Sequence, residues 1–106
     1  MDCYLSVDVR DEPHATVLTV SGELDMASSP RLAEALDRLH PASRPLILDL
    51  AGLEFIDVTG LHVLLQARER TRQEGFQLTV VNASRAVRKL LKLTRTTELL
   101  EGQEPQ

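Results

Sequence analysis

The sequence holds a single cysteine, Cys3, so neither an internal disulfide nor a cysteine zinc cluster is open to it. A reducing compartment is acceptable, and nothing demands secretion. Long apolar runs are missing as well: the hydrophobic stretches last only a few residues, far short of the roughly 20 that a spanning helix needs. No membrane segment is expected. Met1-Asp2-Cys3-Tyr4-Leu5 carries no basic segment ahead of an apolar one, so it does not read as a signal peptide. An excess of basic charge is also lacking, since 12 Lys and Arg face 16 Asp and Glu for a formal net charge of -4. Nucleic-acid binders concentrate positive charge on one face, so DNA or RNA is not expected as the main partner. His14, His40 and His62 show no metal-ligand spacing, and no Gly-rich phosphate loop is present. No metal and no cofactor are expected. Repeats, low-complexity tracts and linkers are absent too. What remains is 106 residues, 42% hydrophobic and 26% charged, an ordinary soluble globular balance for one domain over 1–106, and the cytoplasm is the default place expected for it.

Within that length the hydrophobic spacing sets out seven elements. Leu5, Val7 and Val9 alternate with Ser6 and Asp8, the period of a half-buried strand. A turn over 11–14 leads to a β-branched run over 16–20, ended by Ser21-Gly22. Ser28, Ser29 and Pro30 read as a helix start with a hydroxyl cap, and Leu32, Leu36 and Leu39 mark its buried side, up to Pro41. The nearly all-apolar run over 46–50 suits a central strand covered on both faces. A short extended or irregular piece over 53–56 precedes a second helix, opened by Asp57-Val58-Thr59-Gly60, with Leu61, Leu64 and Leu65 inward and Gly75 as its stop. A strand follows over 76–81. Ser84 caps a third helix with Val87, Leu90 and Leu91 in the core, and a last short helix is expected over 96–100 before a frayed tail over 101–106. The order β-β-α-β-α-β-α defines an α/β fold, a small mixed sheet packed against helices, with a parallel crossover from 46 onward.

The stretch from Leu46 to Leu61, LILDLAGLEFIDVTGL, resembles the central signature of STAS domains. That family includes bacterial anti-sigma factor antagonists and the cytoplasmic domains of sulfate transporters. Its pattern is a strand ending in Asp-Leu, a small-residue turn, an aromatic-apolar-Asp triplet, two hydroxyl residues, Gly and Leu. Ser21-Gly22-Glu23-Leu24-Asp25 resembles the family's Gly-Glu-Leu-Asp segment, and residues 86–91 fit its closing pattern loosely.

The resemblance implies a single STAS-type domain that binds an anti-sigma factor kinase and frees its sigma factor. It implies a partner surface made of Asp25, Asp57, Val58, Thr59 and Gly60, with His62 at its border. In the antagonists the first hydroxyl residue after the Asp is phosphorylated by the kinase, and phosphorylation ends binding. A helix N-terminus offers free N–H groups and positive dipole to such an anion. Two added charges at an interface built for a neutral surface cost much to desolvate. Here the first position after Asp57 holds Val58, which has no hydroxyl, and Thr59 holds the second. Three readings stay open: an antagonist that always binds, Thr59 as a shifted acceptor, or a STAS scaffold or signalling-complex subunit with other partners.

Plainer roles stand beside these. Thr59 suits a helix cap, as does Asp57 with Thr59 inside the first turn. Gly60 permits close backbone approach. Asp25 suits a solvated turn near the edge of the sheet, and His62 an exposed helix position. Asp49, ending a buried strand, is better satisfied by backbone donors than catalytic. Arg85, Arg88, Lys89 and Lys92 form a solvated stripe along one side of the third helix.

An enzyme is not expected. A receiver domain with Asp49 as acceptor needs an acidic pair after its first strand, but Asp11-Glu12 falls in a turn. It also needs a late Lys, where Val81-Asn82-Ala83-Ser84 has none. A hydrolase needs a base near Ser21, Ser28 or Thr59, and no histidine is placed for it. Nothing indicates an obligate dimer, so a monomer or weak homodimer is expected. On the sequence alone, Asp25→Ala and Asp57→Ala weaken partner binding and leave thermal stability nearly unchanged.

Overall fold

The computed structural model describes residues 4–39 and 43–96. Cys3, His40, Pro41, the tail over 101–106 and all but the first residue of the helix expected over 96–100 lie outside them. The elements are β1 (Leu5–Asp11), β2 (Thr16–Leu24), α1 (Ser29–Arg38), β3 (Leu46–Ile56), α2 (Val58–Gln73), β4 (Leu78–Val81) and α3 (Arg85–Leu93). Their order is the expected β-β-α-β-α-β-α. The sheet runs β1-β2-β3-β4, with β1 antiparallel to β2 and the pairs β2–β3 and β3–β4 parallel.

Period 2 in the strands and period 3.6 in the helices turn apolar side chains toward one core. Leu18, Val20 and Leu24 of β2 join Leu46, Leu48 and Leu50 of β3 and Leu78 and Val80 of β4. Leu32 and Leu36 of α1, Leu61 and Leu64 of α2, and Val87 and Leu91 of α3 close over them. Leu65 and Leu90, expected inward, are half-buried and pack against this cluster. The opposite side of the sheet carries Val17, Thr19, Ile47, Asp49, Thr79 and Val81, all half-buried. Among the described residues β3 is therefore fully covered on one face, not two. Asp49 within the run already breaks the apolar pattern that coverage on both faces requires.

The two central strands are longer than their sequence suggests. β2 continues through Ser21-Gly22 to Leu24 because β3 keeps pairing along its other side, with register shifts after Thr19 and after Gly22. Gly22 takes φ +101, and a Cβ there would collide with the Tyr4 carbonyl. β3 runs unbroken to Ile56, so the piece over 53–56 is strand. β4 is shorter than expected and starts at Leu78, although the Gln77 carbonyl already accepts from Leu46 N at 2.9 Å. Gly75, at φ +91, follows the end of α2 as expected.

Leu48 is fully buried in the centre of this core. Leu48→Ala is expected to cost about 3 kcal/mol of unfolding free energy, within the usual span for Leu truncation, in urea denaturation.

Candidate functional site

β2 and β3 run side by side, so the chain leaves both at the same end of the sheet. At that end β3 gives way to α2 through a single residue, Asp57. Its backbone is extended, with φ -112 and ψ -175, the geometry of an N-cap. Asp57 Oδ1 accepts from Gly60 N at 2.9 Å and Oδ2 from Met26 N at 3.2 Å. Its own N–H donates to the Leu24 carbonyl at 3.1 Å. One residue thus joins the end of β2, the loop after it and the first turn of α2.

The loop between β2 and α1 is built around a second carboxylate. Asp25 Oδ1 accepts from Ala27 N and Ser28 N, both at 3.0 Å, the pattern by which an Asp side chain shapes a turn. Ser28 Oγ donates to the Glu23 carbonyl at 2.7 Å and accepts from Asp25 N at 3.0 Å. Its hydroxyl is therefore spent on the loop, and Ser28 stands at the N-cap of α1 without the side-chain cap expected of it. Asp25 follows β2, an interior strand, so it lies away from the sheet edge.

Gly60 is buried at the point where α2 meets β2. A Cβ there would lie 2.6 Å from Leu24 Cγ and 2.8 Å from its carbonyl oxygen, so the close approach expected of this glycine is realised. Thr59 is exposed, and its hydroxyl makes no hydrogen bond within the described residues. The cap is Asp57; Thr59 sits inside the first turn. With Gly60 N taken by the cap, the N–H groups of Val58 and Thr59 point out of the helix start unclaimed by it. Val58 is 66% exposed at the first helical position. His62 is exposed one turn later, on the same side of α2.

The structure thus brings all six expected residues to one end of the sheet. It adds two that sequence reasoning missed. Met26, 73% exposed, and Phe55, 48% exposed, stand within a few residues of the Asp25 and Asp57 anchors, as Val58 does. Together these three make half of the large exposed hydrophobics among the described residues. The available signal was a large apolar side chain one residue after Asp25, at Met26, and two residues before Asp57, at Phe55. Elsewhere, Asp49 Oδ1 accepts from Ala51 N at 3.0 Å and Asn82 Nδ2 at 3.1 Å, a structural role as expected. Arg85, Arg88, Lys89 and Lys92 are all exposed on α3. Glu12 raises the Arg10 guanidinium by a hydrogen bond on β1, and Arg72 lowers the Glu69 carboxyl in the same way on α2. Among the described residues no group of His, Cys, Asp and Glu is arranged to hold a metal, and no helix is long and apolar enough to cross a membrane.

This fold and this turn place the chain among known proteins. The STAS domain family matches residues 6–103, and the chain belongs to it. It is 27% identical over 103 residues to the anti-sigma-B factor antagonist of Listeria monocytogenes, covering 95% of this chain and 89% of that one. The anti-sigma-B factor antagonist of Bacillus subtilis is 26% identical over 97 residues, covering 92% and 89%. The crystal structure of an anti-sigma factor antagonist from Mycobacterium paratuberculosis superposes with a TM-score of 0.80 at 28% identity, covering 95% of this chain and 86% of that one.

The hydrogen bonds of Asp25 and Asp57 revise the expectation that neither matters to stability. Asp57→Ala removes the cap of α2 and the hold on Met26, and is expected to cost about 1–2 kcal/mol in chemical denaturation. Gly60→Ala forces Leu24 aside, and about 1–3 kcal/mol is expected in the same measurement.

Proposed function

We propose that this chain is an anti-sigma factor antagonist that binds a serine-kinase-type anti-sigma factor through the turn at the start of α2 and so releases a sigma factor. It is a binding protein of the cytoplasm and not an enzyme. The relatives' names support the role. The observation that carries the site is the exposure of three large apolar side chains, Met26, Phe55 and Val58, next to or within two residues of carboxylates bonded into the backbone. Apolar side chains grouped on a surface favour a protein partner, because docking removes them from water. The backbone beneath them is fixed by Asp25 and Asp57, so little ordering cost is added on binding.

The same observation favours an antagonist without the usual off switch. The first helical position, where the family carries its acceptor hydroxyl, presents a valine to solvent. Val58 adds apolar area to the docking face and accepts no phosphate. The hydroxyl of Thr59 is exposed one position on, so a shifted acceptor is the second reading, and the same measurement separates them.

Intact-mass analysis after incubation with the cognate kinase and ATP is expected to show no phosphate on the wild type and one on Val58→Ser. A stoichiometric gain mapped to Thr59 in the wild type would replace the always-binding reading. Val58→Asp, which sets a charge into the apolar face, is expected to weaken kinase binding by about tenfold or more in calorimetry without loss of fold. Failure of the folded wild type to retain any ATP-binding kinase of its own organism would sink the proposal.

A further inference from the structure

β1 is an edge strand, and its outward side is free in a selective way. Tyr4 O accepts from Glu23 N and Glu12 N donates to Ala15 O, so the even-numbered residues of β1 turn their bonding groups toward β2. Leu5, Val7, Val9 and Asp11 therefore turn theirs outward. The Leu5 carbonyl is already claimed there, by Arg31 Nη1 of α1 at 2.8 Å. Val7, Val9 and Asp11 have no such partner for their outward groups among the described residues. Beside them lies an open groove of about 580 Å³ between β1 and α1, lined by Val7, Val9, Arg31, Glu34 and Arg38 among others. Val9 is 45% exposed in it, an apolar side chain on an unpaired edge.

We propose that two copies of this chain pair antiparallel through β1 about a dyad at Val9. The charge pattern of the strand selects that register. With Val9 opposite Val9, Asp8 of each copy faces Arg10 of the other, giving two opposite-charge cross-strand pairs. A slip of the dyad to Asp8 sets Asp8 against Asp8, and a slip to Arg10 sets Arg10 against Arg10. A dyad at Val7 pairs Leu5 with Val9 and needs the carbonyl that Arg31 holds. Only the Val9 register combines free bonding groups with complementary charge. Arg10 bonds Glu12 through Nε, and its guanidinium keeps further N–H donors for a second carboxylate. The pairing is two-fold and closes on itself, so it gives a dimer and not a fibre. Val9 pairs with Leu18, in the first half of β2, while the turn at Asp57 lies beyond Leu24 at the other end of that strand. The dimer therefore leaves both docking turns uncovered.

Sedimentation equilibrium of the full chain at concentrations up to about 1 mM tests this, since a weak dimer depends on protein concentration. A monomer–dimer equilibrium is expected for the wild type. Asp8→Arg sets Arg against Arg10 at both pairs and is expected to raise the dissociation constant about tenfold. Asp8→Arg combined with Arg10→Asp restores opposite charges and is expected to restore dimerisation. Val9→Pro removes an outward N–H without touching a bond to β2, and is expected to abolish the dimer while keeping a cooperative melt. A wild type that stays monomeric overturns the proposal. So does a dimer indifferent to Asp8→Arg, or a double variant as weak as the single one. Should Val9→Pro fail to fold, the charge-reversal pair decides alone.

Discussion

Everything at the working end of this domain hangs on one carboxylate. Asp57 spends both side-chain oxygens and its own N–H on three different segments: the first turn of α2, the loop before α1 and the last residue of β2. Each bond is ordinary in strength, worth roughly 1 kcal/mol. Their effect comes from where they lie. Without them the two chain segments leaving the parallel strands would share no anchor. With them, Met26 is bonded to Asp57, the residue before Val58, although 31 positions separate the two in sequence. The buried Gly60 completes the arrangement by letting α2 approach Leu24 closely enough for these bonds to form.

The division of labour at this end is chemical. Polar side chains point into the backbone, where they satisfy N–H groups that the helix and the loop leave open. Apolar side chains point outward. This inverts the arrangement of the core. Phe55 takes part for a reason of register: β3 carries bulges opposite β2, so its last residues no longer alternate cleanly between core and solvent.

Much of this was legible in the sequence. Leucine spacing located α1, α2 and α3, and the alternation in β1 was plain. The motif from Leu46 to Leu61 marks the turn, its Asp and its glycine in the sequence itself. The misreadings have a common cause. Ser21-Gly22 looked like a strand end, because local propensity cannot register that β3 pairs along the far side of β2 and carries it onward. The run over 46–50 looked doubly covered, because apolar composition does not say how many helices lie on each face. Ser28 looked like a cap, because the competing claims of Glu23 and Asp25 on its hydroxyl arise only once the loop has closed. Each error concerned a partner distant in sequence, and each was a case of tertiary contacts overriding a local preference.

The connection between β3 and α2 is a single residue. One residue more or fewer there would turn the helix by about 100° and slide it by about 1.5 Å against the sheet. The capping carboxylate, the glycine contact and the exposed first position would then all fall out of line together. Chain length at this junction is thus fixed by geometry, whereas the identity of an outward side chain beside it is not. Substitution is therefore the open evolutionary route here and insertion the closed one. A change of side chain at position 58 alters the chemistry shown to solvent while the cap and the glycine contact keep their places.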